Sequence, residues 1–316
     1  MIPFPHNIDE DTFEHWRIDP ALWGPVAQGL AATLGFPVHE PKAFRTGTNL
    51  VVDLNGTMIL KLFPPFYRAQ YEVERLALRQ LEGRLTLPIP RIQAEGARDG
   101  WSWLVISKLE GVAGSEVWPD LTDPEQLRIL QQIGRAIAEV QVVDPGPLAA
   151  HCPSWPDFLA RQAESCLARH HRQGLAPCFL AEIPALLASA PSVLPPVERP
   201  VILTGEWVPE NLLLSHGPEG WELTALIDFG DVLVGPGDYD LLGPSCFICC
   251  GVPERLSALL AGFGSAAPVL DHALRQRLLL LMMLHRASDL RNIAIEGWEA
   301  KVSGLDELSL LLWPSI

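Results

Sequence analysis

Positive charge and long apolar runs are both scarce in this sequence of 316 residues. There are 23 lysine and arginine residues against 38 aspartate and glutamate residues, which gives a formal net charge of −15 at pH 7. Nucleic acids and anionic membrane surfaces attract basic proteins, so we expect neither as a partner. The most apolar stretches, residues 278–284 and 241–252, are much shorter than the ~20 residues that span a bilayer, and we interpret them as core elements.

The N-terminus lacks the features of a targeting signal, and the cysteines lack the spacing of a metal site. The opening segment MIPFPHNIDEDTFEHW is acidic and polar, whereas a secretory signal has a basic start and an apolar middle, so we expect a cytoplasmic protein. A zinc site would need a second pair of ligands at short spacing, and the sequence has none. Three of the six cysteines lie in the apolar run SCFICCG, where free cysteine packs as a small hydrophobic residue: Cys246, Cys249 and Cys250.

The negative charge is unevenly distributed along the chain. Residues 1–106 contain 12 acidic and 10 basic residues, a net charge of −2, whereas residues 107–316 contain 26 and 13, a net charge of −13. This imbalance indicates a cationic partner for the second part of the chain. An acidic surface maintained for solubility would give the same pattern, and composition alone does not separate the two interpretations.

Periodicity divides the chain into a β-rich part and a helical part. Helical spacing of apolar residues predicts helices at 21–34, 69–81, 123–142, 155–171 and 181–188. The segment NLVVDL–NG–TMILKLF predicts a hairpin, and further strands are predicted at 91–93, 101–107, 201–203, 211–214 and 223–227. We therefore predict an α+β fold: a small β-rich lobe with an N-terminal helical extension (1–106), a connection (107–111) and a larger, mostly helical lobe (112–316).

Two loops carry residues suited to phosphoryl transfer. In IDFGD, residues 227–231, a strand leads into a Phe-Gly turn and leaves Asp228 at the end of a rigid element. Seventeen residues earlier stands Asn211 in TGEWVPENLLL, with Glu206 five positions before it. Mg²⁺ prefers such oxygen ligands, and phosphoryl transfer also needs a carboxylate that orients the acceptor hydroxyl. Either loop alone is also compatible with an ordinary turn, but the two in this order are much more specific.

Lys61 is one of only four lysines, and it lies in the middle of the predicted strand TMILKLF. A single solvated lysine in a strand is common, but a lysine directed inward could hold nucleotide phosphates if a helix carboxylate paired with it. Glu72 and Glu74 on the next predicted helix are both candidates for that partner. The turn RTGTN, residues 45–49, has a single glycine and is by itself a weak phosphate-loop pattern.

In this order, the motifs resemble those of the aminoglycoside phosphotransferase and choline kinase group, which has the two-lobed protein-kinase-like fold. TGEWVPENLLL resembles the group's His-Gly-Asp-x-x-x-x-Asn-x-Leu loop. Three further segments follow the group's pattern for the first helix and its following turn, the interlobe connection, and the segment after IDFGD: ERLALRQLEGRLTLPIPRI (74–92), LVISKLEG (104–111) and GPGDYDLL (235–242). The resemblance spans roughly residues 44–242.

The resemblance implies a site between the lobes for ATP, or GTP, with Mg²⁺. Lys61 would contact the α- and β-phosphates and pair with Glu74. Asn211 and Asp228 would bind Mg²⁺, and Glu206 would be the catalytic base. The remaining nucleotide contacts would come from the phosphate turn and the interlobe connection: Thr46, Gly47, Ser107, Lys108, Leu109 and Glu110. Acidic residues near this site are candidates for binding a cationic acceptor: Glu210, Asp231 and Asp238.

Two positions depart from the group's pattern. Glu206 replaces the usual aspartate and is one methylene longer, and Thr204 replaces the usual histidine two residues before it. A carboxylate is retained, so we expect an active enzyme. Some hygromycin-type phosphotransferases also have glutamate at this position, and the chain resembles them in that respect.

Three functions are compatible with these motifs. The first is ATP-dependent transfer of the γ-phosphoryl group to a hydroxyl of a small cationic acceptor such as an aminoglycoside, which would confer antibiotic resistance. The second has the same fold with a choline-like or sugar-like alcohol as the acceptor. The third is a nucleotide-binding pseudokinase that serves as an interaction module. The substitutions at positions 204 and 206 favour the third, and the retained Lys61, Asn211 and Asp228 oppose it.

Overall fold

The first lobe is built on a five-stranded antiparallel sheet with the strand order β1-β2-β3-β5-β4. The computed structural model describes residues 3–44 and 47–316. The strands of this sheet are β1 (Lys42–Phe44), β2 (Leu50–Asp53), β3 (Met58–Phe63), β4 (Ile92–Arg98) and β5 (Trp101–Ser107). The predicted hairpin is β2 and β3. Its turn is closed by Asp53, which accepts a hydrogen bond of 2.6 Å from the N–H of Gly56, and Gly56 has the positive φ of 84° that suits such a turn.

Side-chain alternation along β3 gives the sheet two buried faces. The helices of this lobe are α1 (Glu10–Ile18), α2 (Pro20–Leu34) and α3 (Arg68–Leu81). Leu60 and Leu62 point to the face that packs against α1 and α2, whereas Phe63 points to the face covered by α3. Lys61 shares the face of Phe63, because residues two apart in a strand point the same way. Alternation alone therefore directs Lys61 towards α3 and the second lobe.

Helix α1 is absent from the sequence prediction, which treated the N-terminal segment only as acidic and polar. The Asp9 side chain accepts a hydrogen bond from the N–H of Thr12 at 2.9 Å, and the Thr12 hydroxyl accepts one from the N–H of Asp9 at 2.9 Å. This reciprocal capping satisfies N–H groups at the helix start. The helix then buries two aromatic side chains, Phe13 and Trp16, and the Trp16 ring lies 5.2 Å from that of Trp101.

The second lobe is mostly helical, as predicted. Its helices are α4 (Gly114–Val117), α5 (Asp123–Val142), α6 (Leu148–His151), α7 (Trp155–Arg172), α8 (Pro177–Ala188), α9 (Ala190–Val193), α10 (Leu242–Pro244), α11 (Pro253–Gly262), α12 (His272–Met283), α13 (Trp298–Lys301) and α14 (Leu305–Leu312). Helix α11 packs closely on α5 where two glycines meet, Gly134 and Gly262. A Cβ atom on Gly134 would overlap the carbonyl oxygen of Leu259, so this close approach requires glycine.

Two small β-structures hold the TGEWVPENLLL and IDFGD loops. Their strands are β6 (Val112–Ala113), β7 (Val201–Leu203), β8 (Leu212–Gly217), β9 (Gly220–Leu226) and β10 (Leu233–Gly235). Strands β8 and β9 form the predicted hairpin beside β6, and β7 pairs with β10, a strand that was not predicted. The loop between β7 and β8 and the turn between β9 and β10 lie together, because the N–H of Ile227 donates to the carbonyl oxygen of Asn211 at 2.9 Å.

The apolar cysteine run packs in the core, as predicted. Cys246 and Cys249 are buried in the π-helical turn Ser245–Cys249, Cys250 is half-buried, and all six cysteines are free thiols. Across residues 3–44 and 47–316, no helix is both long enough and apolar enough to cross a membrane.

Candidate active site

Lys61 contacts two carboxylates that come from distant parts of the chain. Its Nζ atom lies 2.7 Å from Oε1 of Glu74 on α3 and 3.1 Å from Oδ1 of Asp228 in the turn after β9. Burial alone would lower the pKa of Lys61, but the two negative charges outweigh it and raise that pKa above its ordinary value. The amine therefore stays charged. The predicted pair of Lys61 and Glu74 is present, and Asp228 extends it to the second lobe.

Helix geometry selects Glu74, not Glu72, as the partner of Lys61. Glu74 lies on the face of α3 that packs against the sheet and is 1% exposed. Glu72 lies on another face of the helix, where it pairs with Arg68 at 3.1 Å and with Arg75 at 2.9 Å. The two-residue spacing separates the faces, since side chains two positions apart on a helix do not share one.

Asp228 is held in a backbone conformation that few non-glycine residues adopt. Its φ is 65°, in the left-handed region, and residues held there at an energetic cost cluster at functional sites. Phe229 is fully buried, and the N–H of Gly230 donates to Oδ1 of Asp228 at 3.3 Å, so the turn is fixed after the aspartate. The charge of Lys61 holds the pKa of Asp228 below its ordinary value. With 46% of its side chain exposed, Asp228 is an ionised carboxylate open to a ligand.

The predicted base Glu206 and the predicted metal ligand Asn211 contact each other in the loop between β7 and β8. The amide nitrogen of Asn211 donates to the backbone oxygen and to Oε2 of Glu206, both at 3.2 Å. Asn211 is buried. Because its amide nitrogen is used in these bonds, its carbonyl oxygen is the atom that remains to bind a cation.

Glu206 is half-buried in a negative environment. Burial and the charges of Asp231 and Asp228 raise the pKa of Glu206 to about 8, and Arg286 opposes this rise with a smaller effect. A cation bound among these carboxylates would stabilise their ionised forms, so their arrangement suits a site that takes up a metal ion.

Asp240 fixes the backbone of the loop that carries Glu206. Its carboxylate is 1% exposed and accepts hydrogen bonds from the N–H groups of Thr204 at 3.1 Å and Gly205 at 2.8 Å. Burial raises the pKa of Asp240 to about 6, although these hydrogen bonds favour its ionised form. The GPGDYDLL segment alone does not predict this role, because spacing cannot connect a carboxylate with donors 35 and 36 residues earlier.

Asp231 and Glu210, two of the acidic residues predicted to bind the acceptor, differ in their surroundings. Arg286, which follows α12, pairs with Oδ1 of Asp231 at 2.5 Å and donates to its backbone oxygen at 3.0 Å. Glu210 is exposed, and no hydrogen bond or ion pair holds it within the part of the chain that the structure describes. Asp231 is therefore already paired with an arginine, whereas Glu210 is available to a cation. No sequence motif pointed to Arg286.

Asp238, the third predicted acceptor residue, lies apart from the Glu206 group. It pairs with Arg277 of α12 at 2.7 Å and faces a separate cavity of about 500 Å³ between α5 and α11. Among the described residues, no hydrogen bond or ion pair joins Asp238 to the loop or the turn that carry the other predicted residues. Its predicted contact with an acceptor has no support in the geometry.

The connection between the lobes has free peptide groups over part of its length. The N–H groups of Ser107 and Lys108 donate to backbone carbonyls of neighbouring segments, at 2.9 Å and 2.8 Å. Among the described residues, those of Leu109 and Glu110 have no backbone partner. Gly111 ends the connection with a φ of 137°, and a Cβ atom there would lie 2.9 Å from a side chain of β8. Of the four predicted adenine contacts, Leu109 and Glu110 have the available N–H groups.

The predicted phosphate turn lies between β1 and β2. Thr46 lies outside the described residues. Gly47 is exposed and has a φ of 91°, in a region that glycine adopts without steric cost. Asn49 follows and is buried, and its amide nitrogen donates to Oε1 of Gln70 on α3 at 2.6 Å. The end of the turn is therefore tied to the helix that carries Glu74.

The donor atoms near Asp228 fit Mg²⁺ in chemical type. This ion usually takes one or two carboxylates together with nucleotide phosphates, not a cage built by protein alone. Asp228 offers a carboxylate, and Asn211 offers a carbonyl oxygen from the adjoining loop. Over the two described ranges, no cluster of three or more His, Cys, Asp or Glu side chains could hold a metal ion. The site is thus suited to a metal ion that binds together with a nucleotide.

Comparison with known proteins gives a consistent result. Residues 44–274 match the profile of a family described as the phosphotransferase enzyme family. An aminoglycoside 3'-phosphotransferase of Streptomyces fradiae is 30% identical over 219 residues, which make up 66% of this chain and 71% of that protein.

Two solved structures have the same fold. The GDP complex of wild-type aminoglycoside 2'-phosphotransferase-IIIa superposes with a TM-score of 0.69, covering 90% of this chain and 97% of that chain at 18% identity. The streptomycin–ATP ternary complex of APH(2")-IIa superposes with a TM-score of 0.60, covering 82% of this chain and 89% of that chain at 15% identity.

Proposed function

The chain belongs to the phosphotransferase enzyme family, and we propose that it transfers the γ-phosphoryl group of ATP to a hydroxyl of an aminoglycoside-like acceptor. The observation that carries this proposal is the ion pair between Lys61 and Asp228, whose atoms Nζ and Oδ1 are 3.1 Å apart. This ion pair joins the first lobe to the turn beside the Glu206 loop. A buried lysine held by two carboxylates is costly for stability, but it suits a site that receives phosphates.

The nucleotide would bind between the two lobes. We place these at residues 1–106 and 112–316, with residues 107–111 as the connection. The N–H groups of Leu109 and Glu110 would hold the adenine edge, and the turn with Thr46 and Gly47 would cover the phosphates. Lys61 would contact the α- and β-phosphates. Asp228 and Asn211 would hold Mg²⁺, which neutralises phosphate charge when it is bound.

In the transfer step, the acceptor oxygen forms a bond to the γ-phosphorus while the bond from that phosphorus to the β-bridging oxygen breaks. Glu206 would orient the acceptor hydroxyl and take its proton, and ADP would leave with the electron pair of the broken bond. Such catalysis is mostly positioning and charge neutralisation, so few side chains are needed. The glutamate at position 206 retains the carboxylate that this step requires.

A second candidate acceptor is an alcohol with less positive charge than an aminoglycoside. The identity with an aminoglycoside 3'-phosphotransferase and the net charge of −13 over residues 107–316 support a cationic acceptor. However, Arg286 already pairs with Asp231, an acidic residue of the candidate site. This pairing favours an acceptor with less positive charge, such as a choline-like or sugar-like alcohol.

The test is acceptor-dependent release of ADP by the full-length protein with ATP and Mg²⁺. Streptomycin and other aminoglycosides, choline and neutral sugars would be compared with a reaction that lacks acceptor, and mass spectrometry would identify the phosphorylated product. We expect phosphorylation of an aminoglycoside. Nucleotide binding without turnover of any acceptor would contradict the proposal and support the pseudokinase.

Asp228→Asn is the control for the site. It removes a ligand charge without changing side-chain size, so we expect transfer to fall by at least about a hundredfold. Asp238→Asn is the matched variant, because it makes the same change at a carboxylate outside the site, and it should retain activity. Wild-type transfer by a folded Asp228→Asn protein would exclude the assigned site.

A further inference from the structure

We propose that Arg286 is a positioning residue that fixes the turn carrying Asp228 against the loop carrying Glu206, an inference that rests on the proposed function for the roles of those two carboxylates. Arg286 follows α12 and is half-buried. Its Nη1 atom donates to Oδ1 of Asp231 at 2.5 Å, and its Nη2 atom donates to the backbone oxygen of Asp231 at 3.0 Å. The arginine therefore holds both the side chain and the main chain at the end of the IDFGD turn.

The turn and the loop touch at two places. Just before Asp228, the N–H of Ile227 donates to the carbonyl oxygen of Asn211 at 2.9 Å. At the other end, a Cβ atom on Gly205 would lie 3.5 Å from the backbone oxygen of Asp231, which is ordinary van der Waals contact. No hydrogen bond joins these two residues within ranges 3–44 and 47–316. The second contact therefore depends on whatever holds the Asp231 oxygen in place, and the side chain that does so is an arginine.

This contact lies between the two carboxylates that the proposed reaction uses. Asp228 is three residues before Asp231, and Glu206 directly follows Gly205. Gly205 has a φ of 69° and, as a glycine, little conformational restriction of its own. Its N–H is held by Asp240 at 2.8 Å, so its other face meets the Asp231 oxygen. A shift of that oxygen would change the distance between the metal-binding carboxylate and the carboxylate that takes the acceptor proton.

The two contacts of Arg286 use the fork geometry of arginine. A guanidinium presents several donors in a rigid plane, whereas the lysine ammonium is a compact charge that cannot reproduce two separated donors. The side chains of Arg286 and Asp231 are 31% and 33% exposed, and ion pairs this exposed contribute little to stability. A pair that served surface charge alone would not need the bond to the main chain, and that bond is what indicates positioning.

Arg277 provides a matched comparison within the same part of the chain. It lies on α12, is half-buried, and pairs through Nε with Oδ2 of Asp238 at 2.7 Å. Among the described residues it donates to no backbone oxygen. Asp238 faces the separate cavity between α5 and α11, so this second arginine–aspartate pair does not touch the site.

The kinetic test compares Arg286→Met and Arg286→Lys with the control Arg277→Met. A misplacement of about 1 Å can cost on the order of a hundredfold in rate, so we expect Arg286→Met to lower kcat by about 10- to 100-fold. The KM for ATP and the melting temperature should change little. Arg286→Lys should be intermediate, because it retains the charge without the fork, and Arg277→Met should have the wild-type kcat.

Hydrogen–deuterium exchange measures the same contact without turnover. Local opening of a loop speeds the exchange of its N–H groups, so a peptide that contains residues 204–211 should exchange faster in Arg286→Met than in the wild type. The same peptide should exchange at the wild-type rate in Arg277→Met. Mass spectrometry of the full-length variants gives both rates.

Wild-type kcat in Arg286→Met would overturn the proposal. A fully active Arg286→Lys beside an impaired Arg286→Met would overturn it as well, since charge alone would then suffice. Equal losses of kcat, ATP affinity and thermal stability, or failure of both variants to fold, would indicate a structural role only and would also overturn it. A wild-type protein that turns over no acceptor would instead reject the proposed function, and the exchange rates would still decide whether Arg286 holds the loop.

Discussion

At the scale of single residues, the two carboxylates around Lys61 have different tasks. Glu74 is 1% exposed and contacts the amine from the same lobe, whereas Asp228 has a side chain that is 46% exposed and comes from the other lobe. With nucleotide bound, Asp228 would turn to Mg²⁺ and Lys61 to the phosphates. Glu74 would then be the residue that keeps the lysine in place.

Substitutions of Lys61 on β3 and of two glutamates on α3 test this division of tasks. Removing one charge-stabilising donor commonly costs about 10²- to 10³-fold, so we expect Lys61→Ala to lower kcat/KM for ATP by that amount. Glu74→Ala should cost less, because Glu74 acts only through Lys61. Glu72→Ala is the matched control on the same helix and should be nearly silent. Steady-state kinetics with varied ATP measures all three, and a silent Glu74→Ala beside a damaging Glu72→Ala would contradict the assignment.

Glu206 can be tested by changing its charge and its length separately. A base must come within about 2.6–3.2 Å of the acceptor hydroxyl, and the site around position 206 is built to hold a glutamate. We expect Glu206→Gln to bind nucleotide but lose most turnover, and Glu206→Asp to have an intermediate kcat. The measurement is turnover of one confirmed acceptor at saturating ATP. Wild-type turnover by Glu206→Gln would exclude Glu206 as the base and favour the pseudokinase.

At the scale of elements, the sequence predicts what depends on local periodicity. The hairpin of β2 and β3 follows from Asn-Gly between apolar runs, and α5 from the spacing over 123–142, which the structure reproduces as Asp123–Val142. The same alternation in β3 explains why Lys61 points to α3. Those signals are contained in a few consecutive residues, so the local sequence is enough to predict them.

The missed elements depend on partners that are distant in the sequence. Helix α1 has a polar sequence and is stabilised by burying Phe13 and Trp16 against the sheet. Strand β10 has three residues and exists because it pairs with β7. Asp240 holds the Glu206 loop from a position 35 and 36 residues beyond its donors Gly205 and Thr204, and no spacing rule connects it to that loop. The sequence therefore identifies motif residues that the structure brings together, and it does not identify Asp240, which positions one of their loops.

The glycine contact between α5 and α11 gives a test at this scale. A Cβ atom on Gly134 would overlap the backbone of α11 at Leu259, and helix backbones cannot yield as a flexible side chain can. We expect Gly134→Ala to lower the free energy of unfolding by about 2–3 kcal/mol, as overpacking does in other cores. Gln131→Ala is the control, an exposed position one turn earlier on α5. Urea unfolding measures both, and equal stability of the two variants would show that the helices move apart without cost.

At the scale of the whole molecule, the net charge of −15 is unevenly divided between the lobes, and arginine side chains already pair with part of it. The C-terminal part carries most of it, but Asp231 and Asp238 are each paired with an arginine of α12 or the segment after it. Asp240 is buried and serves the Glu206 loop. Of the acidic residues near the site, Glu210 is exposed and has no arginine partner within the described ranges. The attraction of a cationic acceptor would therefore come from Glu210 and from the summed negative charge of the second lobe.

The salt dependence of acceptor binding tests how strongly the negative charge of the second lobe attracts the acceptor. Charges exposed to solvent are screened over about 10 Å at 0.1 M salt and about 3 Å at 1 M, so a cationic aminoglycoside should show a KM that rises several-fold with added NaCl. Its kcat should change less, because the buried charges around Lys61 are screened much less than exposed ones. Glu210→Gln should reduce the salt response, and Glu254→Gln, an exposed carboxylate in the first turn of α11, should not. A KM that is independent of salt for the confirmed acceptor would mean that the arginine pairs have removed the attraction, and it would favour the neutral alcohol.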